Sequence, residues 1–89
     1  MHRAGDRNIE DIVRHRDLAV ELFYKGLAEI DESPAQASEK LYKSVEEGVK
    51  ALAIYYDLRD VRDLEDAVVR LSKILGEWFR RAWETAYYN

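Results

Sequence analysis

The side chains able to do chemistry are few, and their spacing limits what they could do. His2 and His15 are the only histidines. Neither sits in a His-x-x-x-His or Glu-x-x-His arrangement, the spacings that place two ligands on one helix face for a transition metal. The chain has no cysteine, which removes thiolate sites and disulfides. His15 could act as a general base only beside a nucleophile, and helical spacing forces no serine, aspartate or second base next to it. Asp57, Asp60, Asp63 and Asp66 recur every three residues, a pattern that could suggest a Mg²⁺ cluster. Arg59 and Arg62 interrupt that negative field, and aspartates are favoured at helix starts, so caps and solvated ion pairs are the expected role.

Two further groupings have a chemical reading. Arg70, Lys73, Arg80 and Arg81 lie near Trp78 and Trp83, a mixture that can join phosphate contact to base stacking. Glu77 and Glu84 lie among them, and the net charge is −4, so a solvated outer face is expected and nucleic-acid binding is not. Arg16 falls between Val13 and Val20 in an apolar series, where a buried guanidinium needs a carboxylate partner. It either snorkels into an ion pair or, with His15, contacts an anion or nucleotide. There is no phosphate-cradling glycine loop, no G-x-S-x-G and no paired-cysteine motif. No catalytic residue, cofactor or metal is therefore predicted, and His15 and Arg16 stand as the tentative anion site.

The elements that carry these residues are helices. Ser33-Pro34-Ala35-Gln36 reads as an N-cap serine, a proline at the first helical position and a glutamine that can close a capping box. It separates a first helix, about 8–31, from a second, about 34–57. Ile9, Val13, Val20, Phe23, Leu27 and Ile30 repeat at steps of about four and three, the spacing of one helix face. Leu41, Val45, Gly48, Leu52 and Tyr55 do so in the second helix. Leu64, Val68, Leu71, Leu75, Trp78, Ala82 and Ala86 predict a third, about 62–88, capped by Asp60 or Asp63. Short connections make neighbours antiparallel. The expected fold is all-α, a single domain over residues 1–89, arranged as an up-down-up antiparallel three-helix bundle.

The apolar arcs are wider than such a bundle needs. Val69, Gly76 and Trp83 are seven apart on the third helix, with Tyr87 beside them; Tyr42, Val49 and Tyr56 form a matching line on the second. The first helix adds Ala19, Leu22 and Gly26, with His15 on the same line. Exposed together, these shoulders exceed what a soluble monomer tolerates. The sequence thus predicts a homodimer, or a second helical protein, with Tyr42, Val49, Tyr56, Val69, Gly76, Trp83 and Tyr87 at the interface. Gly26, Gly48 and Gly76 would let backbones approach. At 89 residues, 47% hydrophobic and 36% charged, the chain is globular with a marginal core. No stretch approaches the roughly 20 apolar residues of a membrane span and no export signal is present, so a cytoplasmic protein is expected.

The second helix, Ala37-Ser38-Glu39-Lys40-Leu41-Tyr42-Lys43-Ser44-Val45-Glu46-Glu47-Gly48-Val49-Lys50-Ala51-Leu52-Ala53, resembles the A-x-E-K-L-x-K-A-x-E-E-x-x-K-A-L-A helix of the archaeal PaREP proteins, within the wider HEPN-like group. Trp83-Glu84-Thr85-Ala86 resembles that family's later Trp-x-x-Ala. The resemblance implies a helical bundle that often dimerises in an archaeal cytoplasm, with no agreed activity. It also implies a further helix beyond Asn89. Some HEPN relatives are ribonucleases using Arg-x(4–6)-His, and others bind nucleotides. His15 follows Arg14 directly, and Arg3 and Arg7 are spaced wrongly, so the ribonuclease role does not carry over. The resulting expectation is a non-catalytic, self-associating interaction module, with a nucleotide- or RNA-binding bundle as the alternative.

Overall fold

The computed structural model describes residues 3–88, with side chains described for residues 8–85. Four helices follow one another: α1 (Arg3–Glu29), α2 (Pro34–Tyr55), α3 (Leu64–Leu75) and α4 (Glu77–Tyr88). The chain is all-helical as expected, but the third predicted helix is two.

Gly76 makes the break. Its φ of +122° lies outside the range of a right-handed helix, a conformation open to glycine and costly for other residues. The indole N–H of Trp78 donates to the carbonyl of Leu75 at 2.8 Å, satisfying one of the acceptors that a helix end leaves unpaired. The interruption also resets the helical phase. A continuous helix would align Trp78 with Leu71 and Leu75, pointing inward. Instead Trp78 is 61% exposed and Trp83 only 6%.

Local chemistry explains the other boundaries. Ser33 occupies the N-cap of α2 with Pro34 behind it, yet its hydroxyl makes no capping bond. The predicted Ser33–Gln36 capping box therefore does not form; the Ser33 backbone at φ −140°, ψ 73° departs from the usual cap conformation. α2 ends in a Schellman turn. Asp57, at φ 56°, donates its N–H to the Ile54 carbonyl, and Leu58 donates to Ala53, each at 3.0 Å, the paired closure of that motif. α3 starts on Asp63, whose carboxylate accepts from the Asp66 N–H at 2.8 Å; Asp66 in turn accepts from the Arg62 N–H at 3.2 Å. The Arg70 guanidinium ties down the loop by donating to the carbonyls of Arg59 at 2.6 Å and Asp60 at 3.2 Å. The aspartate run is thus used in turns and caps, and no His, Cys, Asp and Glu cluster fit for a metal occurs among the described residues.

α2 is the central element. α1 lies antiparallel along one side of it, as the cross-helix partners His15–Glu47, Ala19–Ser44 and Glu29–Lys40 show. α3 and α4 pack on another side, and among the described residues α1 packs on neither of them. Val49, Ala67, Val68, Leu71 and Trp83 form the buried core, with Tyr42, Val45, Leu52, Tyr56, Leu58, Leu64, Leu75 and Phe79 packed around it. The open arrangement is elongated, 49 × 26 × 19 Å with a radius of gyration of 14.1 Å, against about 12 Å for a compact chain of this length.

This packing corrects the sequence reading of the faces. The Tyr42, Val49 and Tyr56 line, expected to meet a second chain, meets α3 and α4 of its own chain; the arc on α2 is wide because α2 covers two neighbours. Trp83 is likewise core, Val69 is half-buried, and Gly76 is a helix break. Tyr87 lies outside the residues whose side chains are described. On α1 the roles invert: the small-residue line of Ala19 and Gly26 faces α2, and the expected seam from Ile9 to Ile30 is exposed.

Candidate functional site

Small residues explain why α1 presents that side to α2. A Cβ on Gly26 would fall 2.8 Å from Leu41 Cγ and 3.3 Å from the Ala37 carbonyl oxygen, so hydrogen alone fits between the helices. Polar pins fix the register along the same line. The Ser44 hydroxyl donates to the Ala19 carbonyl at 2.6 Å, and the Lys40 ammonium meets both oxygens of Glu29 at 2.7 and 2.9 Å. Near the other end, His15 Nδ1 bonds to Glu47, which also receives Lys50 Nζ at 3.1 Å.

Glu47 sits between these two donors, partly shielded from water. Burial pushes its carboxyl up, but hydrogen bonds from His15 and Lys50 and their charges overcome this and hold it below its ordinary range. The ionised carboxylate is therefore the preferred form, shared by two donors from two helices.

Beside the cluster runs a groove of about 380 Å³, lined by His15, Glu46, Val49, Lys50, Ala53, Ile54, Val61, Asp63, Leu64 and Ala67. Its floor is apolar and its rim carries Glu46, Asp63, Lys50 and His15. Among the described residues no hydroxyl or thiol lines it, so the His–carboxylate pair has no described nucleophile beside it. Acidic charge is at least as abundant on the rim as basic charge, an environment poorly matched to phosphate. Arg16 does not contribute there. Its guanidinium turns along the exposed surface to Asp17, at 2.8 and 3.1 Å. The structure thus places His15 and Arg16 apart, and the pair does not make one anion site.

A second groove, about 680 Å³ and open, lies between α1, α2 and α4, bounded by Phe23, Leu41, Tyr42, Val45, Ala82 and Thr85 among others. It adjoins, through Phe23, an exposed apolar row along α1. Ile9, Val13, Val20, Phe23, Leu27 and Ile30 each leave between 36% and 61% of their area exposed along α1, with Tyr24 beside them. At 40–60% exposure of large side chains they present roughly 500 Å² of apolar surface, near the upper end of what a single soluble chain shows in one patch, about 300–600 Å². Periodicity alone revealed this row but could not say that it faced outward. The small residues about 100° round the helix from it, Ala19 and Gly26, were the signal that another face of α1 seats on α2.

The sequence profile of the archaeal PaREP1/PaREP8 family matches residues 9–88. The chain belongs to that family. The match spans all four helices, so the likeness seen in α2 extends from the exposed row of α1 to the end of α4. No curated protein and no solved structure matches the chain. Among the described residues of this PaREP1/PaREP8 chain, no helix is long and apolar enough to cross a membrane.

Proposed function

We propose that this PaREP1/PaREP8 chain is a non-catalytic helical interaction module that self-associates through the outer face of α1. The observation that carries the reading is the row from Ile9 to Ile30. It runs the length of a helix that packs on α2 alone, and it leaves six large apolar side chains in water. The resemblance to HEPN-like bundles, many of which pair, supports the same conclusion, as does a core of seven buried hydrophobic residues among those described, which leaves a small domain in need of further burial. A cytoplasmic setting suits a cysteine-free chain of this kind. The nucleotide- or RNA-binding alternative is the weaker reading, because Arg16 turns to Asp17 on the surface and the groove beside His15 offers as many carboxylates as basic groups.

Light scattering or sedimentation at tens of micromolar tests the proposal. Two copies of the 10.4 kDa chain are expected. Leu27→Glu, which places a charge in the exposed row without touching the core, should return the single chain with its helicity intact. A clean monomer for the unmodified protein would overturn the reading.

A further inference from the structure

We infer that two copies pair antiparallel along α1, about a two-fold axis near Val20, with Arg16 of each copy lying on Phe23 of the other. The inference rests on the self-association reading and adds orientation, register and the residue that selects them.

Three features of α1 point this way. Ile9, Val13, Arg16, Val20, Phe23, Leu27 and Ile30 follow one another in alternating steps of four and three, the spacing of a helix seam made to meet another helix. The seam also reads nearly alike in both directions. Reversed about Val20, Ile9 comes opposite Ile30, Val13 opposite Leu27 and Arg16 opposite Phe23, so one surface complements itself, as a two-fold interface requires. Arg16 is the only polar residue in the row. Parallel, in-register pairing would set Arg16 against Arg16, two cations in one apolar layer, a costly juxtaposition. Antiparallel pairing sets it over an aromatic ring, a favourable contact for a guanidinium.

Area favours a second copy as the occupant. Each chain offers roughly 500 Å² of apolar surface in the row, and the polar flanks and the adjoining groove at Phe23 extend it toward the roughly 800 Å² per partner of a stable association.

The absence of cysteine from these 89 residues allows a direct test. Chains carrying Ile9→Cys or Ile30→Cys are oxidised separately and as a mixture, with Val13→Cys and Leu27→Cys as a second pair. In the antiparallel dimer two copies of residue 9 lie about 32 Å apart at 1.5 Å per residue, far beyond disulfide reach. Cross-linking is therefore expected in each mixture and not in either chain alone. A dimer in which Ile9→Cys cross-links to itself, or in which no pair cross-links, overturns the antiparallel inference while leaving self-association standing. A monomer overturns both. Arg16→Leu removes the barrier to parallel pairing, and Ile9→Cys should then cross-link to itself several-fold faster. An unchanged pattern would show that Arg16 does not set the orientation. All four cysteine positions are exposed, and circular dichroism verifies that each variant keeps its helices.

Discussion

Gly26 and Gly48 allow one substitution to be made twice in the same helical hairpin, with opposite results expected. Replacing a helical glycine by alanine favours the helix by about 0.8–1.0 kcal/mol wherever the methyl has room. At Gly48 nothing lies within 4 Å of the new Cβ, so Gly48→Ala should keep that whole gain. At Gly26 the methyl would meet Leu41 Cγ at 2.8 Å, Leu41 Cδ2 at 2.9 Å and the Ala37 carbonyl oxygen at 3.3 Å. Relaxed carbon contacts lie near 3.5–4.0 Å, so Leu41 must shift by about 0.7 Å or more, and the backbone oxygen restricts any retreat along the helix. Overpacking of this kind costs about 1–3 kcal/mol, leaving Gly26→Ala destabilised by about 0–2 kcal/mol after the helix gain. In a domain of this size each kcal/mol moves Tm by about 4–8 °C. Thermal melts at one fixed protein concentration should show Gly48→Ala rising by several degrees and Gly26→Ala falling. Equal stabilisation by both would refute the close approach of α1 and α2 at Gly26.

Gly76→Ala should be strongly unfavourable, because φ +122° excludes a side chain and the Cβ would stand 2.9 Å from the Trp78 ring; a loss of about 1–3 kcal/mol is expected, read by denaturant unfolding. Leu71 is fully buried, and Leu71→Ala should cost about 2–5 kcal/mol, enough to remove a large part of the transition measured by tryptophan fluorescence. Glu47 gives an acid-dependent term. Its folded-state carboxyl lies below its ordinary value of 4.5, so the stabilisation is complete above that pH and is lost as pH falls through the lowered folded value. Glu47→Gln should flatten this part of the stability profile between neutral pH and pH 3, followed by chemical denaturation.

Much of the helix layout was readable from the sequence. The proline after Ser33 marked the start of α2, and Asp60 and Asp63 offered two starts for α3, of which the structure uses Asp63, because capping requirements are local. Gly76 was harder. A glycine within a helical pattern costs only about 1 kcal/mol relative to alanine, so nothing local separates tolerance from a break; the decision depends on how Trp83 and Phe79 reach the core. The inside and outside of α1 were equally ambiguous. Two apolar lines shared the helix, and hydrophobicity favoured the heavier one, from Ile9 to Ile30. Packing selected the lighter line because Ala19 and Gly26 permit the backbones to close. His15 and Arg16 are neighbours in sequence, but adjacent helical residues point about 100° apart, and Glu47 on α2 claimed the histidine.

The central place of α2 also bears on how the chain reaches its native state. Helices that pack are adjacent or next but one along the sequence, and no pairing requires residues near the first helix to find the last. Such low contact order belongs to chains that fold in microseconds to milliseconds. The hairpin of α1 on α2 and the docking of α3–α4 can form as separate steps on a shared helix, and either can open while the other persists. Amide hydrogen exchange should accordingly be slowest in α2, whose release would dissolve both halves at once.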